Sequence, residues 1–370
     1  MVVIKEIFYY HISMPLKMTF QTSFGETNTH DTIIIKVVSS DLAGYSEIPV
    51  NTGPWYSYET ITTALHVSLD FIAPRILGAD IQDIGEIKDL IKNIRGHEMA
   101  KAGHEMAVLD LIAKYENKPL AKLIGGVKSK IEAGVSIGVI SDLEKLHREV
   151  SRFLDEGYRR IKIKIKPGWD LDPIDMIRRE FGKIKLQVDA NAAYDLDKHL
   201  DVFIDMDRYD LLMLEQPLHY NDLYRHSILR SKISTPICLD ESIRDIYDTE
   251  AAIALGSCDV INVKPPRVGG LLETIKINNY AEKHDIPIWI GGLLESGIGR
   301  GHLVAAATLS NVKYPCDISA SNRYYDMDIV EPEWVVEKGY IDVPREAGIG
   351  VEVREDRILK YLVREIHKRL

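Results

Sequence analysis

The chain has 370 residues, 45% of them hydrophobic and 28% charged, and a formal net charge of −10. That length exceeds one typical core and fits a barrel of roughly 250 residues plus a second domain. The acidic balance, with no long lysine or arginine cluster, argues against nucleic acid or an anionic membrane as partner and leaves a small molecule.

In chain order, the N-terminal MVVIKEIFYYHISMPL lacks an apolar core followed by a small-residue cleavage site, and no stretch approaches about 18 consecutive apolar residues. A cytoplasmic protein is expected. The runs IKEIFYYHIS and DTIIIKVVSS predict antiparallel strands, and the patterns near 57–76 and 83–94 predict helices. Between those strands, LKMTFQTSFGETNTHD mixes aromatics with Thr, Ser and Gly, the composition of a loop that closes over a ligand. A long helix is expected over 96–115, where Met99, Met106, Leu109 and Ile112 share a face. Barrel strands are predicted near 133–138, 160–165, 185–189, 211–215, 236–240, 259–264 and 287–291, with a weak eighth near 314–318. These patterns divide the chain into an N-terminal α+β capping domain over residues 1–125 and a modified (β/α)7β-like barrel over 126–322. A C-terminal segment over 323–370 returns to the cap and closes the barrel. Cys238, Cys258 and Cys316 are too scattered for a zinc site and read as reduced thiols.

Five residues recur at nearly constant spacing within this barrel. Lys164, Asp189, Glu215, Asp240 and Lys264 are separated by 25, 26, 25 and 24 residues, each at the end of an apolar run. A strand, a helix and two loops consume about that many residues, so the five side chains are expected at one mouth of a parallel barrel. Lys162 and Lys164 alternate with isoleucines, which puts both ammonium groups on the inward face of their strand. Three inward carboxylates on adjacent strands call for a divalent cation, and oxygen ligands suit Mg²⁺ or Mn²⁺. No G-x-x-x-x-G-K-[ST] run is present and no proposed strand end carries His, which disfavours phosphate cradling and His-dependent hydrolysis. A lysine whose pKa is drawn down by burial, by Lys162 and by a cation takes a proton from carbon α to a carboxylate, and the metal stabilises the enediolate. Lys164 and Lys264, on strands two and six, would approach one substrate from two faces.

The motifs KIKIKPGWD, QVDANAAYD, LEQPL, PICLDES, NVKPPRVGG and GGLLESGIGR resemble those of the enolase superfamily, in its muconate-lactonizing subgroup. TSFG, the Gly53–Pro54 pair and HEMAKAGHEMAVLD extend the resemblance over nearly the whole chain, toward the N-acylamino acid racemase and o-succinylbenzoate synthase family. The resemblance implies Lys164 and Lys264 as acid and base catalysts and Asp189, Glu215 and Asp240 as ligands of Mg²⁺ or Mn²⁺. It further implies that Ser136, Lys162, Asn191, Gly292, Leu293 and Leu294 border a small-molecule carboxylate substrate and that Phe20 and Phe24 lie on the closing loop; a homo-oligomer is expected, its size left open by the sequence. Asn51 and Leu293 stand where relatives often carry methionine, a change that bears on side-chain preference. Arg267, three residues after Lys264, is expected to lower that lysine's pKa by repulsion. The expected activity is racemisation of N-succinyl amino acids, with syn dehydration to o-succinylbenzoate as the alternative. A muconate-type cycloisomerase and a non-catalytic binding protein are less favoured, the latter because all five polar groups are retained.

Overall fold

The computed structural model describes residues 2–22 and 25–370. An antiparallel sheet opens the chain, with β1 (Glu6–Thr22), β2 (Gly25–Ser39) and β3 (Leu42–Ile48). The continuous apolar run in β2 is explained by a sheet buried on both faces. Ile33, Ile35 and Val37 join the core of the cap helices, whereas Ile34, with Tyr10 and Ile12 of β1, joins the core shared with the barrel. The expected loop over 16–31 is largely strand: β1 and β2 continue their pairing from Pro15↔Thr29 through Phe20↔Thr27, with a register shift between Pro15 and Phe20. Pro15 donates no N–H to the ladder, consistent with an irregularity at this point. The helix expected over 57–76 is shorter and broken, as Ile61–Val67, a π-turn at Ser68–Ile72 and Ala73–Ile76, and the one over 83–94 is confined to Glu86–Ile91.

Helix Glu98–Tyr115 is buried along most of its length, since it lies between the two cores. A Cβ on Gly44 would run into the Ala107 carbonyl, so glycine is what lets β3 approach this helix. The helix N-terminus is satisfied by Glu59, which accepts from Met99 N (2.7 Å) and Ala100 N (2.9 Å).

The second sheet is parallel, in sequence order: β4 (Val135–Ile137), β5 (Ile161–Lys164), β6 (Leu186–Asp189), β7 (Met213–Glu215), β8 (Ile237–Leu239), β9 (Val260–Val263) and β10 (Ile288–Ile290). The expected eighth strand is a short irregular segment that nevertheless closes the curl. Lys313 N and Asp317 N donate to Ile288 O (3.0 Å) and Ile290 O (2.9 Å), while Cys316 N donates to Glu132 O (2.9 Å). The barrel interior below the mouth is plugged by Met213, Cys238, Val260 and Trp289. At the C-terminus, β11 (Leu362–Arg369) pairs antiparallel with β1, so the last residues complete the cap sheet.

The cap is latched to the barrel by a buried carboxylate. Glu47 of β3 accepts from Ser296 N (2.9 Å), Ser296 Oγ (2.5 Å) and Gly299 N (3.2 Å) at the start of helix Gly297–Ala307, and sits 2.5 Å from His30 Nε2. Burial alone would raise its pKa, but the His30 and Ser296 bonds outweigh this and hold it below the usual carboxylate range. A carboxyl with a depressed folded pKa contributes stability that is present above about pH 4.5 and is lost as pH falls through the folded value. Glu47→Ala is expected to destabilise the fold by about 3–5 kcal/mol at neutral pH. Denaturant midpoints at pH 7 and pH 4 check this, with the gap between variant and parent narrowing at the lower pH.

Candidate active site

Strand alternation carries the site. Ile161 and Ile163 of β5 face the helices, so Lys162 and Lys164 face inward; the register sets Lys162 beside Gln187, Lys164 beside Asp189, and Asp189 beside Glu215. Asp240 and Lys264 come one residue after the ends of β8 and β9. All five predicted residues are buried, with Asp189, Glu215 and Asp240 at 1%, 0% and 0% exposure. Three turns beyond these strands hold non-glycine residues in the left-handed region: Asn191 (φ 41°) after β6, Gln216 (φ 39°) after β7 and Leu294 (φ 64°) after β10. Such strain persists only where surrounding bonds enforce it. Here Asn191 is tied to Lys164 and Glu241, Gln216 to Ser242, and Leu294 O accepts from the Tyr325 hydroxyl.

The mouth is a chain of paired charges. Lys164 Nζ contacts Asp189 Oδ2 (2.6 Å) and Asn191 Oδ1 (2.7 Å). Lys162 Nζ contacts Asp317 (2.6 Å), Glu215 (3.0 Å) and Asp189 (3.3 Å), and lies 4.9 Å from the Trp289 ring centroid. Arg160, fully buried beside the same ring, pairs with Asp317 at 2.7 Å. Opposite, Lys264 Nζ meets Asp240 Oδ2 (2.9 Å) and the Tyr56 hydroxyl (3.0 Å), while Arg267 pairs with Asp240 Oδ1. Glu215 is also held by Gln187 Nε2 and Asn262 Nδ2, both at 2.6 Å.

Two expectations change here. The three carboxylates were expected to face one another around a cation; here Lys162 bridges Asp189 and Glu215 and Lys264 pairs with Asp240, and among the described residues no three acidic, His or Cys side chains are arranged to grip one ion. The charge of each buried carboxylate is met by the nearest ammonium group. Lys264 was expected to have a lowered pKa; burial and Arg267 do push it down, but Asp240 and Tyr56 outweigh them and the result is a raised value. Lys162 is likewise raised, by Asp317, Glu215 and Asp189 acting against burial.

The donor set nevertheless fits a hard divalent cation. It is all oxygen, from three neighbouring strand ends, and its members repel one another: burial, then the facing charge of Asp189, push the Glu215 carboxyl up to about 8, with Asp240 adding to the rise. Asp189 is held well below its usual range because Lys164 and Lys162 outweigh its burial. Asp189, Glu215 and Asp240 are the residues that would hold the ion.

One cavity at this mouth is lined by Phe20, Ser136, Lys162, Lys164, Asn191, Lys264, Gly292, Leu293 and Leu294, the two predicted catalytic lysines together with the described substrate-bordering residues; Asp189, Glu215, Asp240 and Arg267 are not part of its lining. Phe24 lies outside the described residues. Asn51 also lines the cavity, as do Thr27, Tyr56, Asp317 and Tyr324, which sequence reasoning missed. The first arm of the hairpin is tied down at two points, Val139 N donating to Gln21 O (2.9 Å) and Lys17 N to Tyr324 O (2.9 Å). Arg267 is buried at 6% exposure, bonded through Nε to Ile243 O (2.8 Å) and through Nη2 to Asn262 O (2.6 Å). Of the missed residues, Thr27 lies within the aromatic- and Thr-rich segment over 16–31 and Tyr56 follows the Gly53–Pro54 pair, whereas Asp317 sits on the irregular segment where a weak eighth strand was expected.

Comparison with known proteins gives a consistent picture. Residues 4–125 match the mandelate racemase / muconate lactonizing enzyme N-terminal domain, and residues 145–357 match the enolase C-terminal domain-like family. The chain is 41% identical over 365 residues to a Bacillus subtilis protein named o-succinylbenzoate synthase, covering 98% of each. It is 40% identical over 343 residues to a Thermus thermophilus N-succinylamino acid racemase, covering 93% of each. A crystal structure of an enolase-superfamily member from Listeria innocua superposes with a TM-score of 0.96 at 38% identity, covering 100% of both chains.

Proposed function

Since the chain belongs to the enolase superfamily, with both its N-terminal capping and C-terminal barrel domains, we propose that it removes a proton α to a carboxylate and racemises N-succinyl amino acids with Lys164 and Lys264. The observation that carries this reading is that two buried lysines, from β5 and from just beyond β9, line one cavity. Strands two and six lie across an eight-stranded barrel, so one amine faces each side of a substrate's Cα. Asp189, Glu215 and Asp240 would hold a divalent cation, whose fixed positive charge would favour the enediolate over the ground state. One lysine then takes the α proton, and the other returns a proton to the opposite face. Lys162, anchored by Asp317 and over Trp289, contributes a constant positive charge at the base of the pocket.

Syn dehydration to o-succinylbenzoate is the second reading, favoured by the names of several relatives at 41–43% identity. There Lys164 serves as base and then acid, and Lys264 offers its charge. The deciding experiment is proton NMR of N-succinyl L- and D-amino acids in D₂O with the Mg²⁺- or Mn²⁺-loaded protein, with chiral analysis of the products. Loss of the α-proton signal with racemisation is the expected result. No exchange over several side chains, with metal bound, shifts the assignment to dehydration.

A further inference from the structure

The two lysines are held differently. Lys164 has its polar partners, Asp189 and Asn191, on the barrel. Lys264 has one partner on the barrel, Asp240, and one on the cap, the Tyr56 hydroxyl at 3.0 Å. That hydroxyl also accepts from Arg267 Nη1 at 3.0 Å and lies 3.5 Å from Asp240 Oδ1, while Lys264 Nζ sits 4.5 Å from the Tyr56 ring centroid. The ring forms a wall between the substrate cavity and a second recess lined by Trp55, Tyr58 and Tyr220.

We propose that Tyr56 is a positioning residue for one of the two half-reactions: from the capping domain it fixes the Lys264 amine, and it has no such part in the proton transfers of Lys164. This inference rests on the two-lysine reading above. A lysine side chain has four rotatable bonds, and its amine must be aimed to within a few tenths of an ångström of the proton it exchanges. Asp240 alone is a poor guide, because its other oxygen is bound by Arg267 and the residue belongs to the proposed metal set. A hydroxyl both accepts and donates, so it remains a partner for Nζ before and after the proton moves. Arg267, itself fixed on Ile243 O and Asn262 O, holds the Tyr56 oxygen in place from the other side. The polarity of Tyr56 is thus spent on groups at the Lys264 side of the mouth, and the cap must be seated for that lysine to be aimed.

Tyr56→Phe removes the hydroxyl and keeps the ring and the wall. Lys164→Ala identifies the enantiomer whose exchange depends on Lys264, and Lys264→Ala the other. In Mg²⁺-loaded Tyr56→Phe, α-proton exchange of the Lys264 enantiomer is expected to fall about 10- to 100-fold with KM unchanged, the loss typical of one hydrogen bond to a charged group. Exchange of the Lys164 enantiomer is expected to stay within about two-fold, which also controls for folding. Equal losses on both enantiomers, or none on either, overturn the proposal. A second readout needs no substrate: in ¹⁵N-lysine-labelled, Mg²⁺-loaded protein, the Lys264 Nζ signal, identified by its absence in Lys264→Ala, should shift or broaden in Tyr56→Phe while that of Lys164 does not. If the parent protein exchanges neither enantiomer, the two-lysine reading falls, and an unchanged Lys264 signal then overturns the role of Tyr56 by itself.

Discussion

Lys164→Ala is expected to lower α-proton exchange of one N-succinyl amino acid enantiomer by about 10³-fold or more, within the range assigned to a positioned general base with the loss of geometry added. Exchange of the opposite enantiomer should persist, because in the proposed mechanism it depends on Lys264, which lines the same cavity with its own partners Asp240 and Tyr56. Net racemisation stops in both directions, since each direction uses both lysines once. Dehydration to o-succinylbenzoate should also be lost, as Lys164 is base and acid there, whereas Lys264→Ala should spare more of it. The same variant relieves Asp189 of its 2.6 Å ammonium partner. Loss of exchange should therefore come with a folded, metal-binding protein, which a thermal melt and a Mn²⁺ titration verify. Retained exchange on both enantiomers would remove Lys164 from the mechanism.

The second large effect is expected from Glu215→Gln. Glu215 stands between Asp189 and Asp240 in strand order, fully buried, with a pKa pushed up to about 8 by burial and then by Asp189. Glutamine keeps the shape and one oxygen but removes the charge, so Mg²⁺ or Mn²⁺ affinity should fall by more than about 100-fold, beyond what loss of a supporting residue costs. Exchange activity should fall with it and recover only in part at high metal concentration. Calorimetric titration reads the affinity directly. The metal-free proteins should differ in the opposite sense. A carboxyl whose folded pKa exceeds its unfolded value near 4.3 stabilises the fold least when ionised, so chelated parent protein loses stability as pH rises from about 4.5 through 8. Glu215→Gln lacks that slope, and melting both with chelator at pH 6 and pH 9 reads the difference. An affinity equal to the parent's would show that Glu215 does not ligate.

Much of the barrel was legible because its information is periodic and local. The 24- to 26-residue rhythm ends each unit at a strand terminus, and the alternation of IKIKIK turns two lysines inward together, whatever surrounds the strand. Ser136, Asn191 and Gly292 to Leu294 were found by motif, and each lies at the same mouth. The segment over 16–31 was misjudged because its polar and aromatic residues read as loop, whereas pairing with the opposite arm lets most of the described ones run as strand; tertiary context decides strand character more than composition does.

What the chain alone determined, then, was which residues stand at strand ends and which way they face, since strand period and unit length are properties of consecutive residues. What only the tertiary structure decided was how those groups are paired. Tyr56 reaches Lys264 across 208 residues, Glu47 reaches Ser296 across 249, and Arg160 and Lys162 meet Asp317 on the irregular segment at the far end of the barrel sequence. Such pairings have no period to read. The charge state of a buried lysine follows from them, because it depends on which carboxylates face it in a low-dielectric interior: Lys264 is raised by Asp240 despite Arg267 beside it, a balance set by distances that exist only once the barrel has closed and the cap has seated.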